Sequence, residues 1–121
     1  MIEDLFDLIG GRNTIETATE VFYDKVLQDQ NLQPFFKVID MAHLRSRQAM
    51  FISMLLAGRV YTGKNIHDAH AQSRNQGLTN THFDLFLNHF RAALEEGGVK
   101  PENAEKIRER LESQRGSVLD T

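Results

Sequence analysis

Apolar side chains recur every three or four positions along most of this chain, a spacing that predicts amphipathic α-helices rather than strands. Four stripes of this kind each mark the inner face of one predicted helix. Their positions are Ile15, Ala18, Phe22 and Val26; Met41, Leu44, Gln48, Phe51 and Leu55; Phe83, Phe86, Leu87, Phe90 and Leu94; and Ala104, Ile107, Leu111 and Val118. Because no segment of useful length alternates apolar and polar residues, we predict an all-α protein in which residues 1–121 form a single domain.

Helix boundaries are marked by side chains that cap a helix and by glycine or proline. The expected starts are at Asn13 or Thr14, at Asp40, at Thr79 and near Pro101. The expected ends are at Gly58 and at Gly97–Gly98, and Pro34 is expected to open a brief helical turn. A loop and a short helix that ends before Gly77 separate the second long helix from the third.

Composition and charge exclude several classes of function. The net charge of −3 is spread without a basic face, which argues against a nucleic-acid-binding protein. No apolar stretch approaches the roughly 18 residues of a transmembrane helix, and the acidic start MIEDLFDLIGG lacks the basic region of a signal peptide. Cysteine is absent, so thiolate metal sites and cysteine nucleophiles are excluded. We therefore expect a soluble, cytoplasmic protein without a membrane span.

Two polar side chains fall on helix faces that are otherwise apolar. Gln48 lies in the middle of the second stripe, and Tyr23 follows Phe22 on the first helix. A buried amide without a partner costs about 1 to 3 kcal/mol, so each group needs a hydrogen bond. One interpretation is that the two side chains satisfy each other or a backbone carbonyl. The other is that two helices present hydrogen-bond donors into one apolar ligand pocket, and the spacing leaves both interpretations open.

His67 and His70 stand three positions apart in the segment KNIHDAHAQSRN and raise the question of a metal. A zinc site would need further ligands, and a di-iron site would need Glu-x-x-His motifs; the chain has no HExxH, no cysteine and no such motif. A haem needs one neutral imidazole and an apolar slot, and eight phenylalanines are available to line one. Haem is therefore the metal cofactor that these residues could best serve. The other histidines are expected to be exposed; they are His43, His82 and His89.

The order and spacing of three segments resemble the group I truncated haemoglobins. The segments are FYDKVLQDQNLQPFFKVIDMAHLRSRQAMF, then YTGKNIHDAHAQ, then GLTNTHFDLFLNHF. The similarity extends from about Leu5 to Val99, and Gly10–Gly11 after a short first helix is similar to the first glycine motif of that family. The resemblance implies a truncated globin fold, which is a two-over-two helical sandwich around haem b with a short first helix.

Position by position, the resemblance implies roles for the residues around the iron. His70 takes the place of the proximal histidine that coordinates haem iron, whereas His67 corresponds to no ligand. Tyr23 and Gln48 take distal positions, where they would donate hydrogen bonds to a bound ligand and take part in any catalytic step. Arg47 stands where some members have a histidine that becomes a sixth iron ligand. Because arginine stays protonated it is a poor ligand, and we expect pentacoordinate iron.

Further positions are similar to those that contact the haem in this family. Phe36 would pack on the porphyrin face, Phe51 matches a position that gates an apolar tunnel, and Arg47 could reach a propionate. The expected haem contacts are Phe35, Phe36, Leu44, Arg47, Phe51, Tyr61, Lys64, Ile66 and His70.

The resemblance implies reversible binding of O₂, NO, CO or a similar diatomic ligand at ferrous iron. For some members it also implies oxidation of nitric oxide to nitrate, which would make the protein a nitric-oxide dioxygenase and require a reductase as partner. Non-enzymatic O₂ transport, storage or sensing is the alternative, and a haem-free helical interaction module is a third. We expect a monomer.

Overall fold

The computed structural model of the chain describes residues 5–57, 74 and 77–119, apart from the side chains of residues 117 and 118. Within these ranges every regular element is helical, as predicted. The elements are α1 (Leu5–Leu8), α2 (Gly11–Gln28), a 3-10 helix (Gln33–Phe36), α3 (Met41–Leu56), α4 (Asn80–Glu96), α5 (Pro101–Glu112) and α6 (Arg115–Leu119). The expected helix end at Gly58 and the core position assigned to Val118 lie outside what is described. No helix of the described ranges combines the length and the apolar character needed to cross a membrane.

The core is built around α2, which packs against both α3 and α4, while α5 packs against α4. The predicted inner faces of α2, α4 and α5 are confirmed, since nearly all of their described stripe residues are buried. The largest fully enclosed side chains of the described residues are Ile15, Thr19, Val26, Leu32, Leu56, Leu94 and Ile107. Burying one large apolar side chain contributes about 1.5 to 3 kcal/mol. Helix α2 is therefore held from two sides, and its side chains have well-defined positions.

The inner face of α3 differs from its prediction. The buried residues of this helix are Ala49, Ile52, Ser53 and Leu56, whereas the predicted stripe from Met41 to Leu55 is only half-buried. With 3.6 residues per turn, the two faces lie about 100° apart around the helix axis. Ala49 and Ser53 are small enough to allow α2 and α3 to approach closely, which is why this face enters the core. The bulkier face that carries Gln48 lies beside it.

The start of α2 also differs from its prediction. The helix begins at Gly11 with Gly10 as its N-cap, so that Asn13 and Thr14 lie inside its first turn. Gly10 has a φ of 107°, and a Cβ placed there would lie 2.5 Å from Oγ1 of Thr14. Only glycine fits this tight turn between α1 and α2. The turn moves the helix start to a position that side-chain capping rules do not indicate.

The other described boundaries follow their capping signals. Asp40 precedes α3, and its Oδ1 accepts a hydrogen bond of 3.2 Å from the backbone N–H of His43. Thr79 precedes α4, and its backbone N–H donates to Nδ1 of His82 at 3.0 Å. At the other end of the chain, Arg115 attaches α6 to α4 by an ion pair with Asp84.

Candidate functional site

Tyr23 lies on α2 within a cluster of aromatic rings. It is 4 % exposed, and its ring meets Phe22 and Phe36 edge-on, with centroid distances of 4.7 and 5.9 Å. Phe86 of α4 lies 6.1 Å from the ring centroids of both Phe22 and Phe36. Edge-to-face pairs of this kind contribute about 0.5 to 1.5 kcal/mol each beyond their burial. Helix α2, the 3-10 helix and α4 together fix the position of the phenol.

The Tyr23 hydroxyl makes no hydrogen bond to another residue in the part of the chain that the structure describes. Burial raises the pKa of this phenol well above its usual range, although the positive charges of Arg45 and Arg47 act in the opposite direction. The hydroxyl therefore keeps its proton and can donate a hydrogen bond.

The half-buried face of α3 carries three of the residues that the sequence placed near the iron. Leu44 and Phe51 pack against the buried core, as does Phe36, and Gln48 lies between them, also half-buried. No hydrogen bond joins Gln48 to Tyr23 among the described residues, so these two groups do not satisfy each other. Neither polar group has a hydrogen-bond partner within residues 5–57, 74 and 77–119.

Two further expected haem contacts lie at the edge of this region. Arg47 is exposed, and its charge acts on the Tyr23 phenol. Phe35 is half-buried, and its ring contacts His82 with a centroid distance of 5.0 Å rather than joining the rings around Tyr23. The structure thus brings Tyr23 and Phe36 into contact, whereas Phe35 contacts His82 of α4 and does not contact Tyr23.

The remaining candidate residues lie outside the described residues. They are Tyr61, Lys64, Ile66, His67 and His70, so their roles stay predictions. Among the described residues, no three His, Asp or Glu side chains come together in a group that could hold a metal ion.

Arg45 is the residue beside Tyr23 that sequence reasoning missed. Its side chain is 16 % exposed, and its Nη1 and Nη2 bind Glu20 Oε2 at 2.6 Å and Asp24 Oδ1 at 3.1 Å. The guanidinium carbon lies 5.8 Å from the centroid of the Tyr23 ring. Arg45 lies four, seven and eleven positions before Ala49, Ile52 and Leu56 and so shares the buried face of α3. Because the apolar pattern of the sequence favours the neighbouring face of this helix, spacing alone did not indicate Arg45.

The expectation that His82 and His89 are exposed is wrong, whereas His43 is exposed as expected. His82 is half-buried because its ring caps α4 and packs on Phe35. His89 is half-buried because its Nε2 lies 2.8 Å from Oδ2 of Asp29, beyond the end of α2. The hydrogen bond from His89 holds the pKa of the Asp29 carboxyl below its usual range.

These side chains fit one face of a haem. A macrocycle needs apolar walls, and a ligand on its iron is best held by a small number of placed donors. The rings around Tyr23 would provide the apolar wall, and its hydroxyl, which has no hydrogen-bond partner among the described residues, would provide the donor.

Comparison with known sequences gives a consistent family. The profile described as "Bacterial-like globin" matches residues 4–120. The group 1 truncated haemoglobin of Tetrahymena pyriformis is 39 % identical over 98 residues, which cover 80 % of this chain and 78 % of that protein. The group 1 truncated haemoglobin GlbN of a Synechocystis species is 36 % identical over 97 residues, covering 78 % of each chain.

Comparison with solved structures agrees. The crystal structure of the Tetrahymena pyriformis truncated haemoglobin in its Fe(III) form superposes with a TM-score of 0.86 at 35 % identity, covering 97 % of this chain and 98 % of that one. The 2/2 haemoglobin of a Synechococcus species, solved with covalently attached haem, gives a TM-score of 0.89 at 28 % identity, covering 98 % and 100 %. With most of its length matched in sequence and in fold, the chain belongs to the bacterial-like globin family, as a group 1 truncated haemoglobin whose cofactor is haem iron.

Proposed function

We propose that this protein binds O₂ reversibly, with Tyr23 as the principal hydrogen-bond donor to the bound ligand and Gln48 as the second. Membership of the globin family establishes the coarser function, which is haem-based binding of diatomic ligands. The observation that carries the finer proposal is the Tyr23 phenol, which is buried, protonated and without a partner among the described residues.

Bound haem supplies an iron atom to which one end of a diatomic ligand coordinates. The other end carries partial negative charge in the case of O₂, and a donor in a low-dielectric pocket interacts with it more strongly than water would. A hydrogen bond to a charged acceptor contributes about 1.5 to 3 kcal/mol. Because about 1.4 kcal/mol corresponds to a tenfold change in dissociation constant, the Tyr23 hydroxyl alone can slow release of O₂ by tenfold or more.

The neighbouring side chains complete the proposed pocket. Gln48 offers amide N–H donors from the half-buried face of α3, one turn after Leu44. Leu44 brings no polar atom and excludes water, which strengthens the bonds made by the other two residues. Phe36 would lie against the macrocycle, and Arg47 would pair with a propionate as a guanidinium binds a carboxylate.

The ligand on the opposite side of the iron is proposed from the sequence. His70 matches the proximal histidine of the family, and a neutral imidazole is the iron ligand that a globin uses. His67, three positions earlier, is proposed to take no part. Tyr61, Lys64 and Ile66 are proposed to line the haem edge.

The rate of O₂ release from Tyr23→Phe tests the proposal. We expect the rate to rise by about tenfold or more, since the substitution removes only the donor. The matched control is Thr19→Val, which also removes a buried hydroxyl from α2, one turn earlier; that hydroxyl donates to the Ile15 carbonyl at 2.7 Å. An unchanged rate in Tyr23→Phe, or an equal change in Thr19→Val, would remove Tyr23 from this role.

Oxidation of nitric oxide to nitrate is a second candidate that the same pocket would serve. It needs bound O₂, a path for a second small molecule, and one electron per turnover from a reductase. Phe51 is proposed to lie on such a path; in support, it is half-buried and packs against both apolar clusters of the described core. Stopped-flow mixing of the oxygenated protein with NO measures the reaction directly, and slow or absent nitrate formation would leave only the binding function.

A further inference from the structure

Arg45 is a charged side chain that is mostly covered by the protein. It lies on the buried face of α3, and its side chain is 16 % exposed, whereas its partners Glu20 and Asp24 are 61 % and 64 % exposed. An isolated surface ion pair contributes only about 0 to 1 kcal/mol. Pairing with two solvated carboxylates therefore contributes little stability by itself.

The two acidic partners of Arg45 flank Tyr23 in the sequence of α2. Glu20 lies three positions before Tyr23 and Asp24 directly after it. The Nη1 of Arg45 binds the Glu20 carboxylate at 2.6 Å and the Glu20 carbonyl at 3.2 Å, while its Nη2 binds Asp24 at 3.1 Å. The rigid fork of a guanidinium is suited to hold two groups at a fixed separation. Helices α2 and α3 are thus attached at the level of the phenol.

The cation also lies over the Tyr23 ring. Its central carbon is 5.8 Å from the ring centroid, within the distance of about 6 Å at which a cation is attracted to an aromatic face. A positive charge there favours the phenolate over the phenol, so the O–H becomes a stronger hydrogen-bond donor while burial keeps it protonated. Arg45 can therefore affect both the position and the donor strength of the hydroxyl without touching the ligand.

We propose that Arg45 is a positioning residue for the distal hydrogen bond: it holds Tyr23 between α2 and α3 and polarises its hydroxyl toward the ligand. This rests on the proposed function of Tyr23. A purely structural ion pair would change the free energy of unfolding, whereas a positioning residue also changes ligand release, and only while the Tyr23 hydroxyl is present.

A double-mutant cycle in the haem-loaded protein separates these two roles. The variants are Arg45→Gln, Tyr23→Phe and their combination, with Arg45→Lys as the conservative change. The control is Arg115→Gln, because Arg115 also binds two carboxylates, those of Asp84 and Glu112, and lies 4.6 Å from a ring centroid, that of Phe83. The first measurement is the rate of O₂ release.

The second measurement is the ¹⁹F NMR spectrum of the carbon monoxide form labelled with 3-fluorotyrosine. The chain has two tyrosines, so the resonance that Tyr23→Phe removes is that of Tyr23. This spectrum reports the surroundings of the phenol independently of O₂ release.

We expect Arg45→Gln to speed O₂ release by about threefold. This is the result if half of the free energy of the Tyr23 hydrogen bond, which corresponds to a tenfold change in rate, depends on how Arg45 holds the Tyr23 hydroxyl. The same change in the Tyr23→Phe background should have no further effect. Arg45→Lys should speed O₂ release less than Arg45→Gln does, because lysine keeps the positive charge but lacks the two-pronged guanidinium. The Tyr23 resonance should shift in Arg45→Gln and stay in place in Arg115→Gln.

Three results would overturn the proposal. If Tyr23→Phe speeds release while Arg45→Gln changes neither rate nor resonance, the positioning role is wrong and the function of Tyr23 stands. If Arg45→Gln has the same effect in both backgrounds, it does not act through Tyr23. If Tyr23→Phe itself has no effect, both proposals fail. Should Arg45→Gln not fold, Glu20→Gln combined with Asp24→Asn removes the same attachment from its exposed side and is expected to give the same pattern.

Discussion

Removing the Tyr23 hydroxyl should weaken O₂ binding without lowering the stability of the protein. The hydroxyl has no hydrogen-bond partner among the described residues, so Tyr23→Phe breaks no hydrogen bond within these residues. Removing a partner from a typical intramolecular hydrogen bond costs about 0.5 to 1.5 kcal/mol. Tyr23→Phe should not incur this cost. The free energy of unfolding of the unliganded protein should therefore stay the same or rise by up to about 1 kcal/mol.

Thr19→Val shows how large the loss of stability is when a buried hydroxyl does have a hydrogen-bond partner. Thr19 is 1 % exposed, and its hydroxyl donates to the Ile15 carbonyl at 2.7 Å. Losing that bond should lower the free energy of unfolding by about 1 kcal/mol, which corresponds to a fall in Tm of about 4 °C for a chain of this length. Each substitution deletes one buried hydroxyl from the same helix. Thr19→Val should lower the free energy of unfolding, whereas Tyr23→Phe should leave it unchanged or raise it.

Urea denaturation of the unliganded ferrous protein, without oxygen, measures both changes. In the same preparations Tyr23→Phe should weaken O₂ binding by about tenfold, equivalent to about 1.4 kcal/mol, while Thr19→Val leaves it unchanged. If Tyr23→Phe lowers the free energy of unfolding as much as Thr19→Val does, the Tyr23 hydroxyl has a partner inside the protein. Its role as a free donor would then be refuted.

Two further predictions concern the iron ligand and pH. His70→Ala should abolish stable haem binding, whereas His67→Ala should leave it nearly intact; haem titration followed by the Soret band measures this, and equal losses would mean that the wrong histidine was assigned. The depressed pKa of Asp29, caused first by the hydrogen bond from His89 and next by the Asn31 backbone N–H, means that this carboxylate stabilises the fold fully above the pKa of an unfolded aspartate, about 3.9. The difference in free energy of unfolding between wild type and Asp29→Asn should therefore shrink as the pH falls below about 4, and a difference that stays constant down to pH 2 would contradict the assignment.

Much of the fold could be predicted because long helices repeat their apolar positions. The stripes on α2, α4 and α5 were correct, and so were the caps at Asp40 and Thr79. The face of α3 was not, because hydrophobicity favoured its bulky stripe while close helix packing favoured the small residues Ala49 and Ser53. The start of α2 was missed because it depends on the left-handed backbone of Gly10, which a cap made by a side chain does not signal.

The candidate site was only partly predictable for a related reason. Tyr23 and Gln48 could be identified as polar residues on apolar faces and as matches to a known family. Arg45 could not be assigned a role, since its partners on α2 are more than twenty residues away in sequence and become neighbours only when two helices pack. Residues that act through another side chain leave little trace in spacing alone.

The adjacency of Phe22 and Tyr23 limits how this chain can change in length. Successive residues of an α-helix are rotated by about 100° around its axis. One residue inserted between Gly11 and Tyr23 would therefore rotate the phenol away from the aromatic cluster. Every later residue of the helix would also lose its register with α4. A residue added before Gly10 would only enlarge a surface turn. Relatives that keep the same pocket should therefore vary in length ahead of this glycine pair and be invariant in length between it and the tyrosine.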